Sequence, residues 1–333
     1  MWKYFSLLIA LVVVAPLPVR LGYVVGRVAA DISFLLAKGP RDRLSANVRR
    51  VLGPSADEDV VKHVTLGVFR NTAWNLYDMI TIPRFDSDTI EHKLTIHGWD
   101  NFLQALDRGK GVVMASIHMG NMDVAVQVIT ARSVKLTILN QVLKPPQFYQ
   151  VNTRLREHHG MSMLPVTYSG LKGAMRRLRK GEVVAIACDR AIQGSGLTID
   201  FLGEETIIPV GAVQLAQRTG AAIVPAFAVR LERDRYAFYF EPPIFVSNGR
   251  ERNSSIREPL TKIVRLMEQY IRRFPDQWMV FDPVWNLGPG SSTADKDGEG
   301  QGNGPGKRLP GKHPRETVGA DEHMTTSSTG DAG

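Results

Sequence analysis

The residues whose types and spacing point to chemistry lie in Gly111-Val-Val-Met-Ala-Ser-Ile-His-Met-Gly-Asn-Met-Asp123. The apolar stretch Gly111 to Ile117 reads as a buried strand, and a helix is expected to begin near Gly120 or Asn121. Five residues subtend ~140° around a helix, so a His and an Asp at that spacing do not share one helical face. His118 is therefore expected in the turn, with Asp123 in the first helical turn folding back on it. A carboxylate on one imidazole nitrogen fixes the tautomer and stabilises the imidazolium, leaving the other nitrogen to take a proton from an attacking hydroxyl. The N–H groups of Gly120 and Asn121, at the positive end of the helix, would meet a developing oxyanion. Such a set suits acyl transfer.

The surroundings of this pair carry a resemblance. His118-Met-Gly-Asn-Met-Asp123 has the His-x4-Asp form of the glycerolipid acyltransferases, and its Gly-Asn centre resembles the branch of lipid A biosynthesis acyltransferases and bacterial phosphatidylinositol mannoside acyltransferases. Leu17-Pro-Val-Arg-Leu-Gly-Tyr-Val-Val-Gly-Arg27, Asn47-Val-Arg-Arg-Val-Leu-Gly53, Arg156 with Gly160, Asp189-Arg190 through Phe201-Leu-Gly-Glu204 and Pro209-x-Gly211, and Pro275-Asp-Gln-Trp278 are similar to further segments of that branch, in order. The resemblance runs roughly from residue 15 to 286, and its motifs are short singly but specific together.

The resemblance implies an α/β fold with a mixed central sheet flanked by helices, and an acyl thioester donor, coenzyme A or acyl carrier protein, which is a substrate rather than a cofactor. It also implies a glycolipid or phospholipid acceptor of phosphatidylinositol mannoside or lipid A type. Asp189 and Arg190 end a buried strand candidate, where parallel α/β sheets place ligand groups. In the resembling mannoside branch an acidic residue at this place helps the catalytic His, so Asp189 is a candidate second carboxylate near His118. Arg156 and Arg190 are candidate clamps for phosphate, a task suited to a planar fork of donors; a surface salt bridge is the plainer reading of each. Glu204 is a substrate-binding candidate by resemblance alone, and stabilising a turn is its simpler role.

The chain of 333 residues has 44% hydrophobic and 22% charged residues, enough to bury a full core. The net charge of +8 favours an anionic partner, and the basic residues cluster in Arg41 to Arg50 and Lys172 to Lys180. No nucleic-acid-binding pattern accompanies them, so an anionic membrane surface or a phosphorylated ligand is the expected partner, with a basic solvated surface as the plainer reading. A single cysteine forbids an internal disulfide; Cys188, at the end of an apolar run, reads as a small buried residue before it reads as a nucleophile. His158 and His159 lack a metal-ligand spacing, so no metal is expected. No Gly-x-Ser-x-Gly elbow occurs. Two rival classes are a non-catalytic lipid-binding protein on the same fold, which would lack turnover, and a metal-dependent phosphoesterase, which a chelator would stop.

Three regions are expected: a membrane-associated N-terminal segment over 1–38, a catalytic domain over 39–286 and a disordered tail over 287–333, where apolar residues nearly vanish. Phe5 to Val19 carries no charge but is short for a bilayer span and is interrupted by Pro16 and Pro18. Arg20, Arg27, Lys38, Arg41 and Arg43 follow, which places the domain on the cytoplasmic face of the cytoplasmic membrane. The stretch Leu21 to Leu36 would lie in the interface or pack on the domain. Strands are expected over Val134 to Leu139, Met161 to Val166, Val183 to Cys188, Ala222 to Val229 and Tyr236 to Phe240. Helices are expected over Asp57 to Tyr77, Ser169 to Lys180 and Ile256 to Arg273, the second with an apolar stripe of Leu171, Ala174, Met175 and Leu178.

Overall fold

Continuous apolar runs such as Val112–Ser116 form strands covered on both faces, and these make the centre of the molecule. The computed structural model describes residues 2–191, 196–246 and 254–285, all within one compact unit of residues 1–292. The expected disordered tail over 287–333 lies outside the described residues.

In chain order the strands are β1 (Leu94–His97), β2 (Val112–Ser116), β3 (Leu136–Asn140), β4 (Ser162–Pro165), β5 (Val183–Ala187), β6 (Leu197–Phe201), β7 (Glu204–Ile208), β8 (Ala222–Glu232) and β9 (Arg235–Phe240). Seven form one sheet in the order β1-β9-β8-β2-β5-β3-β4. All neighbours are parallel except β8 and β9, an antiparallel pair, so the sheet is mixed. β6 and β7 form a separate hairpin. Its tip has positive φ at both Leu202 (58°) and Gly203 (89°), the hand of turn that matches strand twist.

Helices cover both faces. The helix Tyr168–Arg179 starts at the cap Thr167, whose side chain accepts from Gly170 N. It buries Ala174 and Leu178, with Leu171 and Met175 packed against the core, so the expected stripe faces inward. The other two expected helices span Glu58–Thr81 and Ser254–Arg273.

The N-terminal layer contains α1 (Trp2–Ile9), α2 (Val19–Leu36), α3 (Lys38–Leu52) and α4 (Glu58–Thr81). α1 runs on as a π-helical turn over Ala10–Val14, and Pro18 starts α2. Among the described residues no helix is long and apolar enough to cross a membrane. Instead α2 lies along α4. Gly22 makes this approach possible: a Cβ there would stand 2.1 Å from the Tyr77 ring. Asp31 of α2 takes the Arg70 fork from α4.

Candidate active site

The register of two neighbouring strands sets the site. β2 and β5 run parallel with Ser116 beside Ala187, so the residues two places further on, His118 and Asp189, leave the same sheet edge side by side. His118 Nδ1 and Asp189 Oδ1 are 2.8 Å apart, and the backbone N–H of His118 donates to Asp189 Oδ2 at 2.9 Å. The Trp278 indole N–H donates to the same Oδ2 at 2.9 Å. The Asp189 side chain is 0% exposed and that of His118 47% exposed, so the ring reaches solvent from a fully enclosed anchor.

The charges follow from this contact. Asp189 raises the His118 pKa above the ordinary histidine value, against partial burial and the positive charges of Arg190 and Arg156. For Asp189, burial pushes toward the neutral acid, but the His118 charge and three hydrogen bonds outweigh it and hold the group below the usual carboxylate range. With Nδ1 turned to the carboxylate, Nε2 is the nitrogen left for substrate.

The His-x4-Asp reading assigned this orienting place to Asp123, and the structure gives it to Asp189. Asp123 instead receives a two-point fork from Arg156, Nε to Oδ1 at 2.7 Å and Nη2 to Oδ2 at 2.9 Å. A bidentate guanidinium is a stronger partner for this partly buried carboxylate than a ring it must fold back to reach. Arg156 is thus occupied by Asp123 and by Asn152 Oδ1, and its charge still reaches His118.

The turn after His118 also differs from expectation. Gly120 has φ +54°, and a Cβ there would meet Ala228 O at 2.1 Å, so only glycine fits. Its N–H donates to Gln277 O at 3.1 Å and is not the oxyanion donor expected of it. Asn121 is buried, and its side chain is engaged within the fold. Its Oδ1 caps the helix Met122–Ala125 by accepting from Val124 N, and its Nδ2 donates to Asp78.

Arg190 stands at the rim, donating to Asp282 Oδ2 at 2.7 Å and to Gln141 Oε1 at 2.9 Å. A guanidinium has five N–H groups, and its charge acts on His118. Glu204 sits at the hairpin tip and pairs with Arg50 of α3, which fits the turn-stabilising reading; none of its described bonds joins it to His118. Cys188 is buried, its thiol pKa pushed up to about 12 mainly by burial, so it lacks the thiolate a nucleophile needs. His159 bonds Ile82 O, and among the described residues no group of three or more His, Cys, Asp or Glu is arranged to hold a metal.

Sequence reasoning missed the roles around Pro275-Asp-Gln-Trp278. This segment and the residue after it clamp the site: Trp278 holds Asp189, Gln277 O holds Gly120, and Met279 N donates to His118 O at 2.8 Å. The motif is recognisable in the sequence, but its neighbours are set only by the three-dimensional fold.

The family of bacterial lipid A biosynthesis acyltransferases matches residues 1–286. The chain belongs to this family. Among relatives of this acyltransferase, the phosphatidylinositol mannoside acyltransferase of Mycolicibacterium smegmatis is 26% identical over 266 residues, covering 78% of this chain and 84% of the relative. That of Mycobacterium tuberculosis is 28% identical over 259 residues, covering 76% and 79%. Of solved structures, the 1-acyl-sn-glycerophosphate acyltransferase of Thermotoga maritima aligns with a TM-score of 0.35 and 14% identity, over 73% of this chain and 98% of that one.

Proposed function

We propose that this acyltransferase moves a fatty acyl group from an acyl thioester, coenzyme A or acyl carrier protein, to a hydroxyl of a phosphatidylinositol mannoside-like or lipid A-like glycolipid. The observation that carries the mechanism is the His118–Asp189 pair, a half-exposed imidazole backed by a fully buried carboxylate.

In this reading His118 Nε2 takes the proton of the acceptor hydroxyl as its oxygen attacks the thioester carbonyl. Asp189 holds the tautomer and stabilises the imidazolium that forms. The tetrahedral intermediate collapses by breaking the C–S bond, and the imidazolium returns its proton to the departing sulfur. The products are an ester and a thiol, with no acyl-enzyme. Arg190 at the rim supplies N–H groups and positive charge for the oxyanion or for a phosphate of either substrate.

Membrane association belongs to the same proposal. α2 exposes an apolar stripe of Leu21, Val24, Val28, Ile32 and Leu35, with Val12 and Val13 exposed in the preceding turn. The cations Arg20, Arg27 and Lys38 lie along and just beyond it. This combination suits a helix lying in the interface of an anionic membrane rather than one spanning it, with the domain on the cytoplasmic face.

Incubating the enzyme with palmitoyl-CoA and a polar glycolipid extract, followed by mass spectrometry, tests the assignment. A glycolipid heavier by one acyl chain supports it. Release of free fatty acid alone, independent of glycolipid, contradicts it.

A further inference from the structure

Directly behind the His118 turn lies a second polar assembly that the chemistry above does not use. Asp78 of α4 and Arg230 of β8 are each 4% exposed, and Arg230 Nη2 donates to Asp78 Oδ2 at 2.6 Å. The same Oδ2 accepts from the Tyr236 hydroxyl at 2.6 Å and from Asn121 Nδ2 at 2.8 Å, while Oδ1 accepts from the Tyr23 hydroxyl at 2.6 Å. Arg230 Nη2 also donates to Asn75 Oδ1 at 2.5 Å, and Asn75 Nδ2 in turn donates to Gly120 O. Both backbone groups of Arg230 are bonded by the Gln277 side chain, N–H to Oε1 at 2.7 Å and Nε2 to C=O at 2.9 Å.

We infer that this buried cluster positions the catalytic base: Asp78 and Arg230 fix Asn121 and Asn75, which grip the two residues after Met119 and so set where His118 stands against Asp189. The inference rests on the reaction proposed above only for its rate measurement. Three features favour positioning over stability as the cluster's role. A buried ion pair contributes little net stability relative to apolar residues of the same volume, because desolvation offsets the attraction. Here Arg230 Nε is buried without a hydrogen-bond partner among the described residues, a cost that a purely structural pair would avoid. The assembly also draws on four separate segments, α2 through Tyr23, α4 through Asn75 and Asp78, β8–β9 through Arg230 and Tyr236, and the Gln277 loop, and two of its side chains, Asn75 and Asn121, bear on the two residues Gly120 and Asn121.

The test is Asn121→Ser, which keeps a capping oxygen for Val124 N but removes the longer amide arm whose Nδ2 donates to Asp78. Two readouts are taken on the folded protein: steady-state acyl transfer, and the titration midpoint of the His118 ring by NMR, its signal assigned by loss in His118→Ala. The expected result is a kcat lower by on the order of 100-fold, as for a displaced catalytic group, with KM little changed and a midpoint moved down toward the ordinary histidine value. Folded Asn121→Ser with wild-type kcat and wild-type midpoint overturns the inference. If Asn121→Ser does not fold, Asn75→Ser, which frees Gly120 O, gives the same two readings. A wild-type protein that transfers no acyl group, yet whose His118 midpoint falls in Asn121→Ser, sinks the proposed reaction and retains the positioning.

Discussion

His118 and Asp189 meet at two points, ring nitrogen to Oδ1 and backbone N–H to Oδ2, so one carboxylate fixes both the imidazole and the chain that carries it. Asp189→Asn keeps the shape but allows the amide to face Nδ1 with its NH2 group, which reverses the tautomer. A fall in kcat on the order of 10,000-fold is expected, the scale seen when an orienting carboxylate is so replaced. Steady-state transfer checks this, and a loss under tenfold would remove Asp189 from the mechanism.

The pH dependence has a definite sign. The base is active when neutral, and Asp189 raises the His118 pKa while Arg190 and Arg156 lower it. The acid limb of kcat/KM should therefore rise through a midpoint above the ordinary histidine value of about 6.5. Removing a positive neighbour, as in Arg156→Gln, should move that midpoint further up. The residual activity of Asp189→Asn should have its midpoint moved down. Profiles of the three proteins, taken with one donor, read these directions.

Trp278 offers a milder change. Trp278→Phe retains an aromatic ring against Phe201 and Trp285 but removes the N–H on Asp189 Oδ2. A hydrogen bond to a charged group contributes about 1.5–3 kcal/mol, so the unfolding free energy read from a denaturant titration should be lower by that amount in the variant. Its activity should fall by less than that of Asp189→Asn, because the direct His118 contact remains.

Cys188 lies next to Asp189 in sequence, yet is buried with its thiol protonated. Thiol-directed reagents should leave the folded enzyme active, and Cys188→Ala should retain most of the transfer rate. Rapid inactivation by a small alkylating reagent would restore it as a nucleophile.

Vesicle binding should depend on the α2 stripe. Val28→Glu with Leu35→Glu places two acidic residues in the exposed apolar face, and co-sedimentation with anionic vesicles should drop sharply. Binding unchanged in that variant would move the membrane contact elsewhere.

What was legible in the chain divides along physical lines. β2, β5 and β8 stood out because strands covered on both faces must be apolar throughout. β1 is only four residues, and the β6–β7 hairpin carries Asp200, Glu204 and Glu205, so neither made an apolar run. Sequence proximity to His118 points to Asp123 as the orienter. Asp189 is 71 residues away and meets it through parallel pairing of β2 and β5, which one sequence does not reveal. Its place at the end of a buried strand candidate marks it as a ligand group, and the family resemblance puts it beside His118. The Asp78–Arg230 pair, 152 residues apart, left one local trace, an arginine directly after the apolar run Ala222 to Val229.

The most direct test of the central claim is thiol release from palmitoyl-CoA by membranes containing the protein, with and without glycolipid extract, for wild type and His118→Ala. Glycolipid-dependent release in the wild type that falls by on the order of 100-fold or more in His118→Ala is the predicted result. Equal glycolipid-dependent release by both proteins would contradict His118 as the base.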